Sequence, residues 1–334
     1  MKQLRTGIIG CGHFARKHAA HLSAIEEVNL VGFCDKDAER AISYNEQFTQ
    51  RKGSIFTDYQ ELFSDMDLDL VYICLPPFAH GNEVELACQH GVNILIEKPI
   101  ALDMEQANSM AKHVHASGVK CQVGFMYRFG KAALEFRRYL QESSSEPKGF
   151  MLGRYACNSL HSNWWRSREH SGGQLVEQVI HLLDMSRYFF GEPIKVFSLQ
   201  DNLFHRDVES YTNEDVSATV IQFASGSVAT IAATNGAIPN RWEYDWRLVT
   251  KEVTADFSDS NNATFYQTAQ EGVPTSVISG KDDLYLAETM DLLEAIRENR
   301  ETFVPIDEGV RSLNLALSAT LSAQKETPIN ISLP

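Results

Sequence analysis

The stretch Gly7–His18, GIIGCGHFARKH, joins an apolar run to a turn that contains Gly10, Gly12 and Ala15. This GxGxxA spacing is typical of a strand-to-helix turn whose first glycine allows a tight bend and whose second lets the backbone approach a pyrophosphate. The small third residue keeps the helix close to the strand. A turn that only needs a positive φ at glycine would show the same pattern, so the flanking sequence has to distinguish the two interpretations.

The flanking sequence alternates strand-like and helical stretches. Nearly uniform apolar runs, which suit strands buried on both faces of a parallel sheet, occur as RTGIIG, NLVGFCD, DLVYICLP, VNILIE and VKCQVGF. Helices are predicted between them at about 14–25, 38–50, 81–89 and 104–116. Asp103 and Gln106 stand in capping-box spacing at the start of the last helix. This order predicts a doubly wound α/β domain with a parallel sheet over residues 1–124.

Beyond Phe125 the pattern changes to β-branched or alternating runs with little helix between them. The runs are FMLGRYAC, IKVFSLQ, DVSATVIQFAS, GSVATIAAT and WRLVT. They predict an antiparallel sheet with one covered face, and so an α+β second domain over residues 125–334. The polar segment 141–149, QESSSEPKG, is predicted to be a surface connection. Two helices, at about 283–299 and 309–323, are expected to pack back onto the body.

Composition and charge limit the expected partners. The chain has 334 residues, 43% hydrophobic and 22% charged, which is ordinary for globular proteins and long enough for two domains. A formal net charge of −14 repels phosphate backbones and anionic lipid surfaces, so neither a nucleic-acid nor a membrane partner is expected. An anionic coenzyme is still compatible, because the N–H groups of a helix start act locally.

The cysteines indicate a core of reduced thiols. They form no CxxC motif and mostly lie in apolar runs, so we expect buried thiols and neither a disulfide framework nor a metal site. They are Cys11, Cys34, Cys74, Cys88, Cys121 and Cys157. The sequence shows no signal-like or membrane-spanning apolar run, and a reducing cytoplasm is the expected compartment.

Asp35 supports the dinucleotide interpretation of the glycine turn. It ends the second apolar run, about 20 residues past the glycines, where an acidic side chain can accept hydrogen bonds from the ribose hydroxyls of adenosine. The alternative is that Asp35 caps the following helix. Its charge favours NAD over NADP by repelling a 2′-phosphate, although Lys36 could offset that repulsion. We also assign to the coenzyme site His13, Phe14, Leu75, Pro76, His80 and Glu97.

Lys98 is the first residue to which we assign chemistry. It follows an apolar strand in ILIEKPIAL, and the carboxyl ends of strands are where open α/β sheets bind ligands. Pro99 restricts the backbone of Lys98 to extended conformations. A lysine there could bind the coenzyme and hydrogen-bond a substrate hydroxyl, or it could be a solvated residue at the end of a strand.

A second group of polar residues lies on the helix predicted for residues 173–190. Glu177, His181 and Asp184 recur at helical spacing, beside an apolar side that runs from Leu175 to Leu183. A histidine next to a carboxylate is a candidate general base near neutral pH. A surface ion pair, a core histidine with satisfied hydrogen bonds, and a zinc site remain alternatives.

Four motifs in this order, GIIGCG, EKPIAL, GFMYRF and GGQLVEQVIHLLD, resemble the Gfo/Idh/MocA oxidoreductases. The resemblance spans residues 7–193. It implies a Rossmann domain followed by a domain with a large, mostly antiparallel sheet, through which members form homodimers or homotetramers. It also implies hydride transfer between NAD or NADP and a hydroxyl or carbonyl carbon of a sugar, cyclitol or similar small polar molecule.

Carried over residue by residue, the resemblance makes Lys98 and His181 the catalytic lysine and histidine. The aspartate usual in the family four residues before the histidine is Glu177 here, and the usual glycine two before it is Val179. Glutamate keeps the charge but reaches one methylene further. The resemblance places Arg128, His161, Trp164, Trp165 and Arg166 in segments around the pocket, and we expect substrate contacts from Arg128, Trp164, Trp165 and Asp184. The tryptophan pair could stack on a sugar ring, with core or interface packing as an equal alternative.

These residues give a hypothesis of reversible hydride transfer. His181 takes the proton of the substrate hydroxyl, Lys98 polarises the same oxygen, and Glu177 orients or assists. The hypothesis requires Lys98 of one domain and His181 of the other to converge on one coenzyme. Two alternatives remain, a regulator that binds a dinucleotide without turnover and an NAD-dependent glycosidase.

Overall fold

The computed structural model describes residues 3–142 and 148–332. Contacts divide the chain at Gly124/Phe125, and the first unit also includes Tyr285–Val310. We predicted that all of 125–334 would lie in the second domain. The difference arises because Leu292 and Leu293 complete the apolar core of the first unit. Residues 143–147, most of the predicted surface connection 141–149, lie outside the described part of the chain.

The described part of the first unit contains a parallel sheet of six strands. Their order is β3-β2-β1-β4-β5-β6, which is the doubly wound arrangement that the alternating pattern predicted. The strands are β1 Leu4–Ile9, β2 Val28–Cys34, β3 Ser54–Phe56, β4 Leu70–Ile73, β5 Asn93–Ile96 and β6 Cys121–Val123. The central strands are buried along most of their length, which accounts for their uniformly apolar sequences.

Helices connect these strands at close to the predicted positions. They are α1 His13–Ala24, α2 Ala38–Thr49, α3 Tyr59–Asp65, α4 Glu83–Gln89 and α5 Met104–Ser117. The Asp103 side chain accepts the Gln106 N–H at 2.8 Å, so the capping spacing identified the start of α5 correctly. The short elements β3 and α3 were not predicted, because neither is long enough to show a clear period.

The second unit contains a mixed, mostly antiparallel sheet. In its described part nine strands follow the order β14-β13-β12-β11-β7-β10-β9-β8-β15, in which β7 and β10 pair in parallel. The strands are β7 Gly149–Ala156, β8 Pro193–Asp201, β9 Val216–Phe223, β10 Val228–Thr234, β11 Glu243–Thr250, β12 Thr254–Phe257, β13 Ala263–Tyr266, β14 Thr275–Ile278 and β15 Ile329–Asn330. Alternate residues of β9 are buried, so one face of the sheet is covered, as the sequence predicted.

Six more helices, among them α9 on this sheet, complete the described part of the chain. They are α6 Lys131–Glu142, α7 Asn163–Arg166, α8 Arg168–Ser171, α9 Ile180–Phe190, α10 Leu284–Glu298 and α11 Ile306–Lys325. Of these, α10 lies almost entirely in the first unit, and α11 passes from one unit to the other. The helix α9 packs on β7 and β10, and all of its residues are buried. A helix buried on all sides needs partners for its polar residues, which Asp184 finds in Arg128.

Two expectations from the sequence concern the cysteines and membrane-spanning helices. Five cysteines are buried and Cys74 is partly buried, all as free thiols, and burial raises the pKa of Cys88 and Cys121. Within residues 3–142 and 148–332, no helix combines the length and apolar character needed to cross a bilayer.

The cap of α5 can be tested by substitution. Asp103→Ala should lower the free energy of unfolding by about 1 kcal/mol, because the Gln106 N–H loses its acceptor. Asp103→Asn is the matched control, since asparagine caps nearly as well as aspartate. Urea denaturation of the three proteins measures the difference. Equal stability of Asp103→Ala and the parent protein would show that the bond contributes nothing.

Candidate functional site

The glycine turn of the first unit leaves room for a pyrophosphate. Gly10 has a φ of +89°, and a Cβ atom there would lie 2.5 Å from the carbonyl oxygen of Cys74. Gly12 precedes α1, has no side chain to cap the helix, and borders open space. Ala15 is buried where α1 approaches the sheet. The first N–H groups of α1 are therefore accessible to an anion, which is the arrangement that a dinucleotide requires.

Asp35 ties the end of β2 to this turn. Its Oδ2 accepts the Cys11 N–H at 2.8 Å and its Oδ1 accepts the Asp37 N–H at 2.9 Å. The residue that caps α2 is Asp37, which accepts the Glu39 N–H, so the capping alternative for Asp35 is wrong. Asp35 is partly exposed, and a carboxylate can accept further bonds from ribose hydroxyls.

The other residues assigned to the coenzyme site differ in exposure. His13 and Phe14 are exposed at the start of α1, and Lys36 is exposed after β2, while Leu75 and Pro76 are partly buried after β4. These positions flank the ends of β1, β2 and β4, where an open α/β sheet binds its ligand.

His80 has a polar atom that fits a ligand. Its side chain is fully buried, and Nδ1 lies 2.5 Å from Oε1 of buried Glu83. Burial by itself would raise the pKa of Glu83, but the hydrogen bond from His80 outweighs it and the pKa is lowered. Within the described residues, His80 Nε2 is buried and has no hydrogen-bond partner. A buried ring nitrogen without a partner is unfavourable unless a ligand bonds it.

Lys98 follows β5 at the carboxyl edge of the same sheet, as predicted. It is partly buried, its peptide bond to Pro99 is cis, and its N–H donates to Glu97 Oε2 at 3.3 Å. The carboxylate of Glu97, which we assigned to the coenzyme site, turns inward to His18 at 2.9 Å. His18 was not among the predicted site residues. The sequence could have indicated it, because His18 lies on the same side of α1 as Ala15 and Leu22, both of which are buried.

In the second unit, the predicted helix begins with a π-helical turn. Leu175–Val179 form this turn, and α9 follows directly. Within 173–190 every residue except Glu177 is buried. The sequence predicted an apolar side and a polar side, but packing on all sides leaves Glu177 as the accessible position. Isolated π-helical turns are frequent at functional sites.

Glu177 is held by a tryptophan. Trp165 Nε1 donates to Glu177 Oε2 at 2.7 Å, and Trp165 itself is only 2% exposed. Trp164 is partly exposed. The indole of Trp165 therefore orients the acid from within the protein.

His181 lies among aromatic rings. Tyr127 stacks on the imidazole with 4.6 Å between ring centroids, and Phe125 meets it edge-on at 6.1 Å. The histidine is 6% exposed. Such surroundings hold the ring in one orientation and limit the access of water.

Arg128 and Asp184 bind each other in the interior. Two guanidinium nitrogens of Arg128 donate to the two oxygens of Asp184 at 2.8 and 2.7 Å, and Ser312 donates to the same carboxylate at 2.8 Å. Both charged side chains are nearly inaccessible. The predicted contact of Arg128 and Asp184 with a substrate stays a prediction. A substrate could reach either side chain only if this ion pair opened.

His161, one of the residues expected in the pocket segments, extends the polar layer around Glu177. Its ring lies 4.2 Å from that of Trp165, and its Nε2 lies 3.1 Å from Gln178 Nε2. Burial lowers the pKa of His161, against an opposing effect of the Glu177 charge. A neutral imidazole can accept the Gln178 N–H. Through their ring contact, His161 and Trp165 form one layer beside Glu177.

The Rossmann sheet and its open glycine turn define a dinucleotide-binding domain, and comparison with known families agrees. Residues 4–125 match the family described as "Oxidoreductase family, NAD-binding Rossmann fold", and residues 151–331 match its "C-terminal alpha/beta domain". The chain therefore belongs to the Gfo/Idh/MocA oxidoreductase family, and is an oxidoreductase with an NAD-binding domain.

Two curated relatives match over nearly their whole length. The chain is 25% identical to scyllo-inositol 2-dehydrogenase (NAD(+)) of Bacillus subtilis, over 98% of this chain and 96% of that protein. It is 27% identical to UDP-N-acetylglucosamine 3-dehydrogenase of Acidithiobacillus ferrooxidans, over 97% and 98%. The structure of levoglucosan dehydrogenase with NADH and L-sorbose has the same fold, with a TM-score of 0.90, 19% identity and full coverage of both chains.

The buried ion pair of the second unit can be compared with an exposed one. Asp184→Ala should lower the free energy of unfolding by about 3–5 kcal/mol, because Arg128 would be left as a buried charge without its carboxylate. Asp245→Ala, which removes the partner of exposed Arg154 on the sheet, should cost less than about 1 kcal/mol. Thermal and urea unfolding measure both. Equal losses would show that burial does not determine the strength of these pairs.

Proposed function

We propose that this oxidoreductase transfers a hydride between NAD and a hydroxyl or carbonyl carbon of a small polyol, sugar or related molecule. The observation that carries the proposal is Glu177, the accessible acid on an otherwise buried segment, one helical turn before His181. A carboxylate and an imidazole at that spacing suit a substrate with several hydroxyl groups. The relatives described above include dehydrogenases of an inositol and of a sugar nucleotide.

Each proposed catalytic residue has one task. The nicotinamide supplies the hydride acceptor or donor. His181 takes or returns the hydroxyl proton, and the stacked ring of Tyr127 holds it in place for that transfer. Lys98 hydrogen-bonds the same oxygen and stabilises the negative charge that develops on it. Glu177, oriented by Trp165, accepts a hydrogen bond from a neighbouring hydroxyl.

We further propose a preference for NAD over NADP. Asp35 stands at the end of β2, and its carboxylate is fixed by the N–H groups of Cys11 and Asp37. A fixed negative charge there repels a 2′-phosphate, while exposed Lys36 offers a weaker, solvated opposite charge.

Substitution of the two catalytic residues tests the proposal. Lys98→Ala and His181→Ala should each lower kcat by about 10²- to 10⁴-fold, because each removes a group that acts on the reacting oxygen. Lys112→Ala and His113→Ala, on the outer side of α5, are the matched controls and should keep full activity. Circular dichroism of all four verifies folding. Full turnover in both catalytic variants would refute these roles.

The same assay separates the other two activities considered. A panel of polyols, aldoses and glycosides with NAD should give net formation of NADH. Cleavage of a glycoside without net NADH would identify a glycosidase, and binding of NAD without any turnover would identify a regulator. The dehydrogenase names of the relatives favour the first outcome.

We also propose that the protein is a homodimer or homotetramer in a reducing cytoplasm. The outer face of the second sheet is apolar where β8, β9 and β7 expose Leu199, Val220 and Leu152 at 56, 44 and 45%. An exposed apolar sheet face of this kind is typical of an interface between subunits. The free, mostly buried thiols support a reducing compartment.

The sheet face predicts the effect of a charge on assembly. Val220→Glu should dissociate the oligomer, because it places a carboxylate on β9, between the strands that expose Leu199 and Leu152. Sedimentation velocity measures the mass. Leu134→Glu, a similarly exposed leucine on α6, is the control and should leave the mass unchanged. A parent protein that sediments as a monomer would contradict the proposal.

A further inference from the structure

His18 lies in the interior of the first unit between two carboxylates. Its side chain is fully buried, and Nε2 lies 2.9 Å from Glu97 Oε1 and 3.9 Å from Glu288 Oε1. Glu288 is also fully buried. The three residues come from α1, the end of β5 and α10, so three distant parts of the sequence meet at one imidazole.

Two aromatic rings hold this imidazole in place. The ring of Tyr72 lies 5.2 Å from it and that of Tyr285 lies 5.5 Å away, nearly perpendicular. Tyr72 is itself fixed by a hydrogen bond from its hydroxyl to Thr289 Oγ1 at 3.1 Å. Rotation of the His18 ring would require one of these rings to move, so Nε2 keeps its direction towards Glu97.

The carboxylate of Glu97 is held at both of its oxygens. Oε1 faces His18, and Oε2 accepts the backbone N–H of Lys98 at 3.3 Å. A Cβ atom on Gly124 would lie only 2.9 Å from Oε2, so the carboxylate sits closely against that backbone. Burial by itself would raise the pKa of Glu97, but His18 and then Lys98 outweigh it and the pKa is lowered. With the Glu97 carboxylate ionised, its Oε1 accepts a hydrogen bond from His18 Nε2–H.

Such a cluster is costly as a purely structural element. Buried imidazole and carboxylate groups lose their hydration, and apolar residues of similar volume often stabilise a core as well or better. Glu97 of the cluster precedes Lys98 and accepts its backbone N–H, and the histidine is carried by the helix that starts at the glycine turn. Its position thus links the coenzyme-binding helix to the backbone of the lysine.

We propose that His18 is a positioning residue for Lys98. It holds the Glu97 carboxylate in the orientation that accepts the Lys98 N–H, while the two tyrosine rings pack against His18 and the Glu288 carboxylate lies 3.9 Å from its Nε2. This inference rests on the proposed function, because it assumes that Lys98 contacts the reacting oxygen. Displacement of a catalytic group by about 1 Å can cost about 10²-fold in rate, so loss of the His18 bond should act on kcat.

The test uses His18→Leu, His18→Gln and a double-mutant cycle with Lys98→Ala. His18→Leu should lower kcat by about 10- to 100-fold, with a larger primary deuterium isotope effect as hydride transfer becomes limiting. The Kd for NADH, followed by fluorescence, should stay within about threefold. His18→Gln keeps an N–H donor at similar reach and should restore most of the rate. His21→Leu, one turn further along α1, is the control and should have no effect.

The cycle separates positioning from a general loss of structure. In the Lys98→Ala protein, His18→Leu should lower kcat by less than about twofold further, because the group it positions is absent. Glu288→Gln keeps the side-chain shape, and it takes the place of His18→Leu in the cycle if that variant fails to fold. Its loss of kcat should likewise disappear in Lys98→Ala.

Two outcomes would overturn the inference. One is full additivity of the His18 and Lys98 losses, and the other is a His18→Gln protein as impaired as His18→Leu. An active Lys98→Ala protein would instead refute the proposed catalytic role of the lysine. Failure of the inference and failure of the proposed function are therefore distinguishable.

Discussion

The close approach of Gly10 to Cys74 is the constraint on which the first unit depends. The Gly10 N–H donates to Cys34 O at 2.8 Å, and the Cys74 N–H donates to Ile9 O at 2.8 Å, so the ends of β1, β2 and β4 meet at this residue. Any side chain at Gly10 would collide with the Cys74 carbonyl. Because strand order reverses between β1 and β4, this junction is also where a doubly wound sheet opens a crevice for its ligand.

The second unit depends on polar groups that are satisfied inside it. Arg128 and Ser312 both donate to Asp184 of α9, and Arg187 of the same helix donates to Ser312 at 2.8 Å. If only some of these buried polar groups had hydrogen-bond partners, the unit would be less stable than with an apolar core. The same helix carries His181 among aromatic rings and follows the turn that exposes Glu177. A rigid and largely dry support of this kind favours preorganised chemistry, because the reacting groups need little rearrangement.

Local signals were sufficient for the regular elements. The positions of α1, α2 and α5 and of the central strands followed from period and caps, as the bond from Asp103 to the Gln106 N–H illustrates. The short β3 and α3 have no measurable period, and the return of α10 to the first unit depends on contacts of Leu292 and Leu293 with residues near the N-terminus. No local pattern encodes such distant contacts. The same limit applies to His18, whose partners lie 79 and 270 residues further along the chain.

The sequence by itself determined which residue types stand at the ends of strands and on the helix: the glycines, Asp35, Lys98, Glu177 and His181. These assignments depend on the spacing of residues along the chain, which is the same however the strands and helices pack together. Tertiary structure alone decided which of these side chains are engaged by neighbours. It paired Arg128 with Asp184, turned Glu97 inward to His18, and buried Trp165 against Glu177. The physical reason is that the burial and hydrogen bonding of a polar side chain depend on all the elements that surround it, and these come together only in the folded chain.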